Sequence, residues 1–464
     1  MDEKDVIIAR LEVGVEHQQM HNRQLAERIA ELQAEIDRLK KNSSNSPKPP
    51  SSDIVKPRAV KVRRKRKGKR GGQHGHRKHV RAEFAADELD EVIEYELEEV
   101  GELQPLDDWW VIQQIELVDP PFVVTEHRAR RYRCRGTGKI VTTSLPAEVV
   151  RGDLLGPKLS ALAAYQKGAC HMSYSTIRTF LRDVFGVSVS TGQLAKIVQK
   201  VSGALGGAYE ELLQALPAEP YVGSDETGHK DNGRGMWTWC FRPDEFTLFK
   251  TDPSRGSAVL KEVLGETFGG VVSCDYFSAY RKYMANAGAT MQFCMAHLIR
   301  EIRFLAEHTD KVVARWGGKL LGILRTLFHT LHREAKMPTD RFMRAMDKIR
   351  REFLRQVRRR PDCREARTLR RRFRSHGDSY FTFLTTPGIA PTNNMTEQAI
   401  RFVVIDRKIT QGTRGYRGQR WCERIWTVLA SCRQQGRSSF AFLADSISAH
   451  WSNHPAPSLL PTNP

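Results

Sequence analysis

The chain has 464 residues, which is room for about three domains and a large buried core. Its formal charge of +20 is typical of proteins that bind a polyanion, most often a nucleic acid. No apolar run reaches the ~18–20 residues that cross a membrane, and the N-terminus lacks the order of a signal peptide, so we expect no membrane partner and a cytoplasmic location. The eight cysteines include no C-x-x-C pair, which argues against a disulfide scaffold or a zinc knuckle.

A heptad repeat predicts a coiled coil over residues 1–40. Its a and d positions are Ile8, Leu11, Val15, Gln18, Asn22, Leu25, Ile29, Leu32, Ile36 and Leu39. β-Branched residues at a with Leu at d favour a parallel two-stranded coil, and Asn22 at an a position fixes its register. We expect a homodimer or higher oligomer, firmest between Leu25 and Leu39. A lone amphipathic helix packed on its own domain is the alternative.

Residues 41–81 are predicted to be a disordered basic linker that binds DNA. A Pro/Ser-rich stretch leads into Lys56–Arg81, which holds 13 Lys and Arg residues and no acid. Charges this dense repel one another until an anion neutralises them, and binding to phosphates releases counterions. A solubilising tail is the alternative. The expected DNA contacts are Arg63, Arg64, Lys65, Arg66, Lys67, Lys69 and Arg70.

Residues 82–145 are predicted to form a small β module. Apolar and polar residues alternate between Trp109 and Thr143, and Gly136–Gly138 (GTG) is a hairpin signal.

Residues 146–217 are predicted to be a helical, helix-turn-helix-like DNA-binding domain. Two helical segments flank Gly186, and Ser190 with Gln193 could form a capping box for the second. In a helix-turn-helix, the start of the second helix enters the major groove. Ordinary helix packing is the alternative, and the basic context favours DNA reading only slightly.

Residues 218–300 are predicted to be the first part of a ribonuclease-H-like catalytic core, so the fold class is α/β. Three strand-like segments, a helical segment and two further strand-like segments follow in order: YVGSD, MWTWCF, FTLFK, SRGSAVLKEVL, GGVVSCD and ATMQFCM. Residues 301–390 would be a helical insertion rich in Arg, with 12 Arg against 3 acids in Arg350–Arg374. Residues 391–435 would complete the core with a helix at Met395–Val404, and 436–464 would be a C-terminal tail.

Two aspartates are expected to meet at this sheet. Asp225 would end the first strand and Asp275 the fourth, and a divalent cation would relieve the repulsion between neighbouring carboxylates. Glu397 on the later helix would complete an oxygen-rich site suited to Mg²⁺. Glu226 should point to the opposite face and be a bystander. Pattern alone leaves structural roles equally open, because Asp275 could cap a helix and Glu397 could belong to a capping box.

Four stretches resemble, in order, motifs of the DDE transposases of the insertion-sequence sixty-six (IS66-type) family. They are SDETG, VVSCDYFSAYRKY, FCMAHLIREIRFL and PTNNMTEQAIRFVVIDRKI, and the likeness extends over nearly the whole chain. The resemblance implies that Asp225, Asp275 and Glu397 are catalytic and hold two Mg²⁺ ions, with Mn²⁺ able to substitute. It also implies near-site roles for His297, Arg300, Asn393 and Asn394, and DNA contacts for Arg401, Arg407 and Lys408. Packing under the sheet explains His297 equally well.

The chain departs from that family at its zinc module. Members usually carry two Cys pairs, but the first pair is missing here and Thr137 stands where a cysteine of the second would be. We therefore expect no zinc, with Trp109 and Trp110 holding the β module instead.

The resemblance implies a bacterial, nucleoid-associated transposase whose partner is double-stranded DNA, at the inverted repeats that end its element and at the target. It would cleave the ends and join them to target DNA, and the family often uses accessory proteins of the same element. A non-catalytic DNA-binding regulator and a ribonuclease-H-like nuclease are the alternatives.

Overall fold

A computed structural model of the protein describes residues 3–40, 84–94, 111–115, 118, 121–135, 137–152 and 154–460. These residues divide into two compact units. One contains residues 3–40 and those described from 127 onwards, and the other contains those described from 84 to 126. The structure is mixed α/β and mostly helical. The seven predicted DNA contacts from Arg63 to Arg70, together with Trp109 and Trp110, lie outside the described residues.

The predicted N-terminal helix is present as α1, Glu3–Leu39. Large apolar side chains on the predicted seam, from Val15 to Leu39, are between 45% and 64% exposed. The Gln18 Nε2 amide donates to Asn22 Oδ1 at 3.4 Å, so the two polar seam positions contact each other. The helix therefore carries an open apolar stripe, and its pairing with a second copy stays a prediction.

The smaller unit contains one short 3₁₀ turn, Ala86–Glu88. The Phe84 backbone N–H donates to Gln113 Oε1 at 2.6 Å, and Gln113 Nε2 donates back to Phe84 O at 3.1 Å. Between 84 and 126, the described residues form no strand. Val123 and Val124 remain 91% and 87% exposed, so the alternating pattern there builds no buried sheet face, and the predicted strand is wrong at these positions.

The predicted hairpin at the GTG sequence is confirmed. Strands β1, Arg131–Arg133, and β2, Ile140–Thr142, pair antiparallel. Gly138 has a φ of +68°, which favours glycine, and its N–H donates to Cys134 O at 2.8 Å. Every side chain of both strands is exposed, so this part of the predicted β module is an isolated ribbon.

Five helices follow: α2 Ala147–Gly152, α3 Pro157–Gly168, α4 Tyr174–Phe185, α5 Thr191–Ala204 and α6 Gly206–Ala215. The two helices predicted around Gly186 are α4 and α5, and Gly186 ends α4 with a φ of +65°. Ser190 Oγ accepts from the Gln193 N–H at 3.1 Å, which caps α5. The N-terminal end of α5 is exposed.

The sheet has five strands: β3 Tyr221–Asp231, β4 Arg234–Arg242, β5 Leu248–Asp252, β6 Val271–Cys274 and β7 Thr290–Phe293. Their spatial order is β5-β4-β3-β6-β7, antiparallel among the first three and parallel from β3 to β7. Helix α7, Ser257–Leu264, connects β5 to β6, and α8, Ser278–Ala287, connects β6 to β7. All five strands predicted for this region are therefore present.

The predicted end of the first strand was wrong. Asp225 does not end β3, because the strand continues to Asp231 and turns at Asn232 and Gly233, whose φ values are +48° and +79°. The polar run after Asp225 resembles a loop in sequence, but each residue pairs with a residue of β4.

Seven further α-helices follow among the described residues: α9 Met295–Ala306, α10 Lys311–Leu331, α11 Thr339–Arg358, α12 Arg364–His376, α13 Asn394–Thr410, α14 Tyr416–Gln434 and α15 Ser439–Trp451. Helix α13 extends six residues beyond the predicted end, and α15 buries Leu443, Ile447 and Trp451 where we expected a tail. None of the described helices is long and apolar enough to cross a membrane.

Helix α14 closes the edge of the sheet at β5. Three of its side chains, four residues apart, accept hydrogen bonds from backbone N–H groups two residues apart: Glu423 from Thr251 (2.6 Å), Thr427 from Phe249 (3.0 Å) and Ser431 from Thr247 (3.1 Å). Four residues along a helix rise ~6 Å, and two residues along a strand rise ~6.6–6.8 Å. The spacing of the acceptors on α14 therefore matches the spacing of the backbone donors at β5. Side chains thus satisfy the donors that an edge strand leaves open.

Glu423 should make stability depend on pH. Burial raises its pKa to about 7, although Arg420 opposes the shift. A carboxyl whose folded pKa is raised binds more protons in the native state, so its stabilisation is full below about pH 4.3 and is lost as the pH rises through 7. We expect Glu423→Gln to remove roughly 2–3 kcal/mol of this loss between pH 4.5 and 7.5, measured by denaturant unfolding. The exposed Glu210→Gln should leave the slope unchanged, and equal slopes in both variants would contradict the assignment.

Candidate functional site

The pairing of β3 with β6 brings the two predicted aspartates together. Tyr221 pairs with Val271 and Gly223 with Ser273, and the same register continued by two residues sets Asp225 level with Asp275. Asp275 follows the last residue of β6, as predicted. Each carboxylate accepts a local backbone hydrogen bond: Asp225 Oδ1 from Glu226 N (2.9 Å) and Asp275 Oδ1 from Phe277 N (2.8 Å).

Helix α13 brings Glu397 to the same strand. A Cβ atom at Gly223 would lie 2.2 Å from Thr396 Oγ1 and 2.9 Å from Asn393 Oδ1, so only glycine lets the helix approach this closely. Asn393 Nδ2 donates to Ser224 O at 2.8 Å and fixes the start of α13 on β3. Glu397 lies in the first turn of that helix.

The three predicted carboxylates interact electrostatically. Burial raises the pKa of Asp225 well above its usual range, and the charges of Glu226, Asp275 and Glu397 raise it further. Burial also raises the pKa values of Asp275 and Glu397, and the charge of Asp275 acts on Glu397 in the same direction. The acids therefore form one cluster in which ionising one carboxyl disfavours ionising the next.

Glu226 is a buried member of this cluster and is not a solvated neighbour. Its side chain is 2% exposed, Arg255 donates twice to its Oε1 (2.9 and 2.7 Å), and the Tyr280 hydroxyl donates to its Oε2 (2.7 Å). Ser224 also lies within 3.3 Å of the Tyr280 hydroxyl, so Ser224 and Glu226 share the α8 face of β3. Asp225 points to the other face by alternation, as predicted.

Arg255 lies at the site although the sequence analysis does not predict it there. Its guanidinium lies 4.4 Å from the Trp237 ring centre and 4.0 Å from that of Phe277. Its charge lowers the pKa of both Glu226 and Asp275, against the effect of burial. These partners are distant in sequence, so only the folded sheet reveals the contact.

His297 and Arg300 both lie beside Glu397, as the resemblance implied. His297 Nδ1 is 3.5 Å and Arg300 Nη2 is 3.4 Å from Glu397 Oε1. Burial, helped by the charge of Arg300, lowers the pKa of His297 to about 4, so this imidazole is neutral at neutral pH. Burial raises the pKa of Glu397, whereas the charges of Arg300 and Arg401 lower it.

The remaining predicted residues are placed differently. Asn393 is buried at the start of α13, and Asn394 is the first residue of that helix. Arg407 and Lys408 are ten and eleven residues beyond Glu397 on α13, which is ~15 Å or more along the helix axis. The structure therefore does not bring Arg407 and Lys408 to the carboxylates.

Cys294 is a further polar neighbour that we did not select. Its Sγ, a ring nitrogen of His297 and a carboxylate oxygen of Glu397 lie within 4.8 Å of one another. Sulfur and nitrogen donors suit Zn²⁺ better than Mg²⁺. Burial raises the pKa of this thiol, however, and its Sγ accepts from the Asn393 N–H at 3.3 Å. A protonated Cys294 therefore supports the start of α13.

Asp225, Asp275 and Glu397 offer the oxygen donors that Mg²⁺ prefers. Among the described residues, however, the three ligand atoms found within 4.8 Å of one another are those of Cys294, His297 and Glu397. A cation between the carboxylates would offset the repulsion that raises the pKa of Asp225. Near them, Asn393 Oδ1 and His297 Nδ1 are buried without a hydrogen-bond partner among the described residues.

Comparison with known families decides which group of proteins this is. The model for the family described as "Transposase IS66 family" matches residues 152–420, more than half of the chain. The chain belongs to the IS66 transposase family. This membership supports a transposase function, and the matched region of this IS66 transposase includes Asp225, Asp275 and Glu397.

Other comparisons add less about chemistry. Residues 2–82 match a family of unknown function (DUF6444). Uncharacterized protein y4qI of Sinorhizobium fredii is 25% identical over 76% of this chain and 70% of its own length. Uncharacterized protein y4hP from the same organism is 23% identical, over 74% of this chain and 68% of its own length.

Gly223 should be intolerant of any side chain in this IS66 transposase. We expect Gly223→Ala to displace the start of α13 and to cost about 1–3 kcal/mol in unfolding free energy, as overpacking does. Gly235→Ala on β4 is the matched control, because a Cβ there meets nothing within 4 Å. Denaturant unfolding compares the two, and equal stability of both variants would refute the close approach of α13.

Proposed function

We propose that this IS66-family protein cleaves DNA at the ends of its own element and joins the freed 3′-hydroxyls to target DNA. The observation that carries the proposal is geometric: the β3–β6 register sets Asp225 level with Asp275, and the close contact of α13 with β3 brings Glu397 to the same strand. An antiparallel three-stranded meander followed by two parallel strands supports a ribonuclease-H-like core.

Asp225, Asp275 and Glu397 would hold two Mg²⁺ ions, for which Mn²⁺ could substitute. When bound, such ions activate the attacking oxygen and stabilise the leaving oxygen of a phosphoryl transfer. Two of the acids are carried by neighbouring strands, which restricts their movement. Asn393 anchors the helix of the third, while cationic Arg300 would orient the Glu397 carboxylate.

The protein would bind double-stranded DNA through several basic surfaces. Helices α11 and α12 expose a dense set of arginines: Arg358, Arg359, Arg364, Arg367, Arg370, Arg371 and Arg374. Arginine suits bidentate contacts with phosphate, and Arg407 and Lys408 would add contacts along α13. The exposed start of α5 would read the terminal repeats, and the basic linker would hold the DNA backbone. No zinc is required.

Removal of one carboxylate should abolish chemistry and leave DNA binding intact. We expect Asp225→Asn, incubated with labelled element-end DNA and Mg²⁺, to produce no cleaved or joined product above the protein-free background. The exposed Asp445→Asn on α15 should behave like the wild type. Equal activity of Asp225→Asn and wild type would refute the triad. DNA binding without cleavage by the wild type would support a regulator, and hydrolysis without joining a nuclease.

We also propose that α1 pairs two copies, because synapsis of two DNA ends needs two active sites or two binding surfaces. The open apolar stripe on α1, with Asn22 fixing the register, fits a parallel coiled coil. Accessory proteins of the element would join this assembly.

A charge on the stripe of α1 should separate the copies. We expect Ile29→Lys to shift the mass measured by light scattering from dimer or higher oligomer to monomer. Gln24→Lys adds the same charge at an exposed position off the seam and should leave the mass unchanged. A monomeric wild type would contradict the pairing.

A further inference from the structure

A basic cleft lies beside the proposed reacting site. Its volume is about 1010 Å³, and its walls come from α3, the sheet, α13, α14 and the start of α15. Four arginines line it: Arg242, Arg401, Arg433 and Arg437. No aspartate or glutamate is among the lining residues. Such a lining is complementary to an anion.

Arg242 and Arg437 donate hydrogen bonds to neutral groups. Arg242 Nη1 donates to Thr247 Oγ1 at 2.7 Å and to Gln434 Oε1 at 2.5 Å. Arg437 Nη1 donates to Ser458 O at 2.9 Å. Arg401 and Arg433 are exposed. Arg437 is exposed as well, so three of the four arginines face solvent and Arg242 is held by side-chain hydrogen bonds.

Aromatic rings line the same cleft as these arginines. Tyr165, Phe402 and Phe440 line the same cleft, and the rings of Tyr165 and Phe440 meet edge to face with centres 6.4 Å apart. Phe440 is 37% exposed, so part of its ring is open to a ligand. Proteins that bind single-stranded nucleic acid combine cations for the phosphates with rings on which the bases stack.

The size of the cleft favours a few unpaired nucleotides over a duplex. Its volume is near the upper end of the ~300–1,000 Å³ typical of small-ligand sites. Arg401 is four residues after Glu397 on α13, so the cleft begins one helical turn from the proposed reacting carboxylate.

We propose that this cleft binds a short single-stranded segment of the DNA substrate next to the scissile phosphate, with phosphates on Arg401 and Arg433 and a base on Phe440. The inference rests on the proposed function, since it assigns a role to DNA at the same site. It adds that strands must separate locally at the element end before or during cleavage.

The test measures binding without chemistry. Full-length protein in EDTA is titrated into a short fluorescent oligothymidylate, and into element-end duplexes carrying 2-aminopurine at frayed or fully paired terminal positions. We expect Arg433→Glu and Phe440→Ala each to weaken oligothymidylate binding about tenfold and to abolish the stacking signal of the frayed duplex. Arg417→Glu, an exposed arginine of α14 outside the cleft, is the charge-matched control and should weaken binding far less.

Three outcomes would overturn the inference. Equal weakening by Arg433→Glu and Arg417→Glu would show a general charge effect. Competition by free thymidine triphosphate as strong as by the oligonucleotide would indicate a mononucleotide site. If the two cleft variants lose as much binding to the fully paired duplex as to the frayed one, the cleft contacts duplex DNA. Because the assay needs no cleavage, a failure of the triad experiment would leave its result readable. Thermal unfolding of each variant separates lost binding from lost folding.

Discussion

The close contact between the start of α13 and β3 at Gly223 is the constraint on which the site depends. Glu397 belongs to a helix more than a hundred residues beyond the strands that carry or precede the aspartates, and it reaches them only because Gly223 has no side chain. Gly223 has no side chain on which the helix could pack. The Asn393 side chain holds the helix to β3 instead, by donating a hydrogen bond to the Ser224 carbonyl. The helix-to-strand distance thus controls how strongly Glu397 and the aspartates act on one another.

Burial and the charges of neighbouring residues act differently on the pKa of each acid. Asp225 is influenced mainly by burial and other acids, whereas Glu226 and Glu397 each have arginine neighbours. Arg255 holds Glu226 on the α8 face, and Arg300 and Arg401 approach Glu397 from α9 and along α13. Asp225 is therefore the acid of this cluster whose ionised form is most strongly disfavoured.

The sequence could predict those parts of the site that depend on strand order and local motifs. Asp225 and Asp275 follow apolar strand segments whose order sets them on neighbouring strands, and the motif around Glu397 identifies its helix. It could not predict the Arg255–Glu226 pair or the role of Cys294, because those contacts join residues distant in the chain. The predicted end of β3 was also too early, because pairing with β4, and not apolar side chains, stabilises the residues that extend the strand.

The side-chain ladder of α14 has a consequence for how copies of this protein can meet. At β5 and just before it, the Thr247, Phe249 and Thr251 N–H groups already donate to Ser431, Thr427 and Glu423. These three donors are therefore not free to pair with a strand from another molecule. Self-association by sheet extension at this border is thereby blocked, so copies of the protein have to meet through other surfaces.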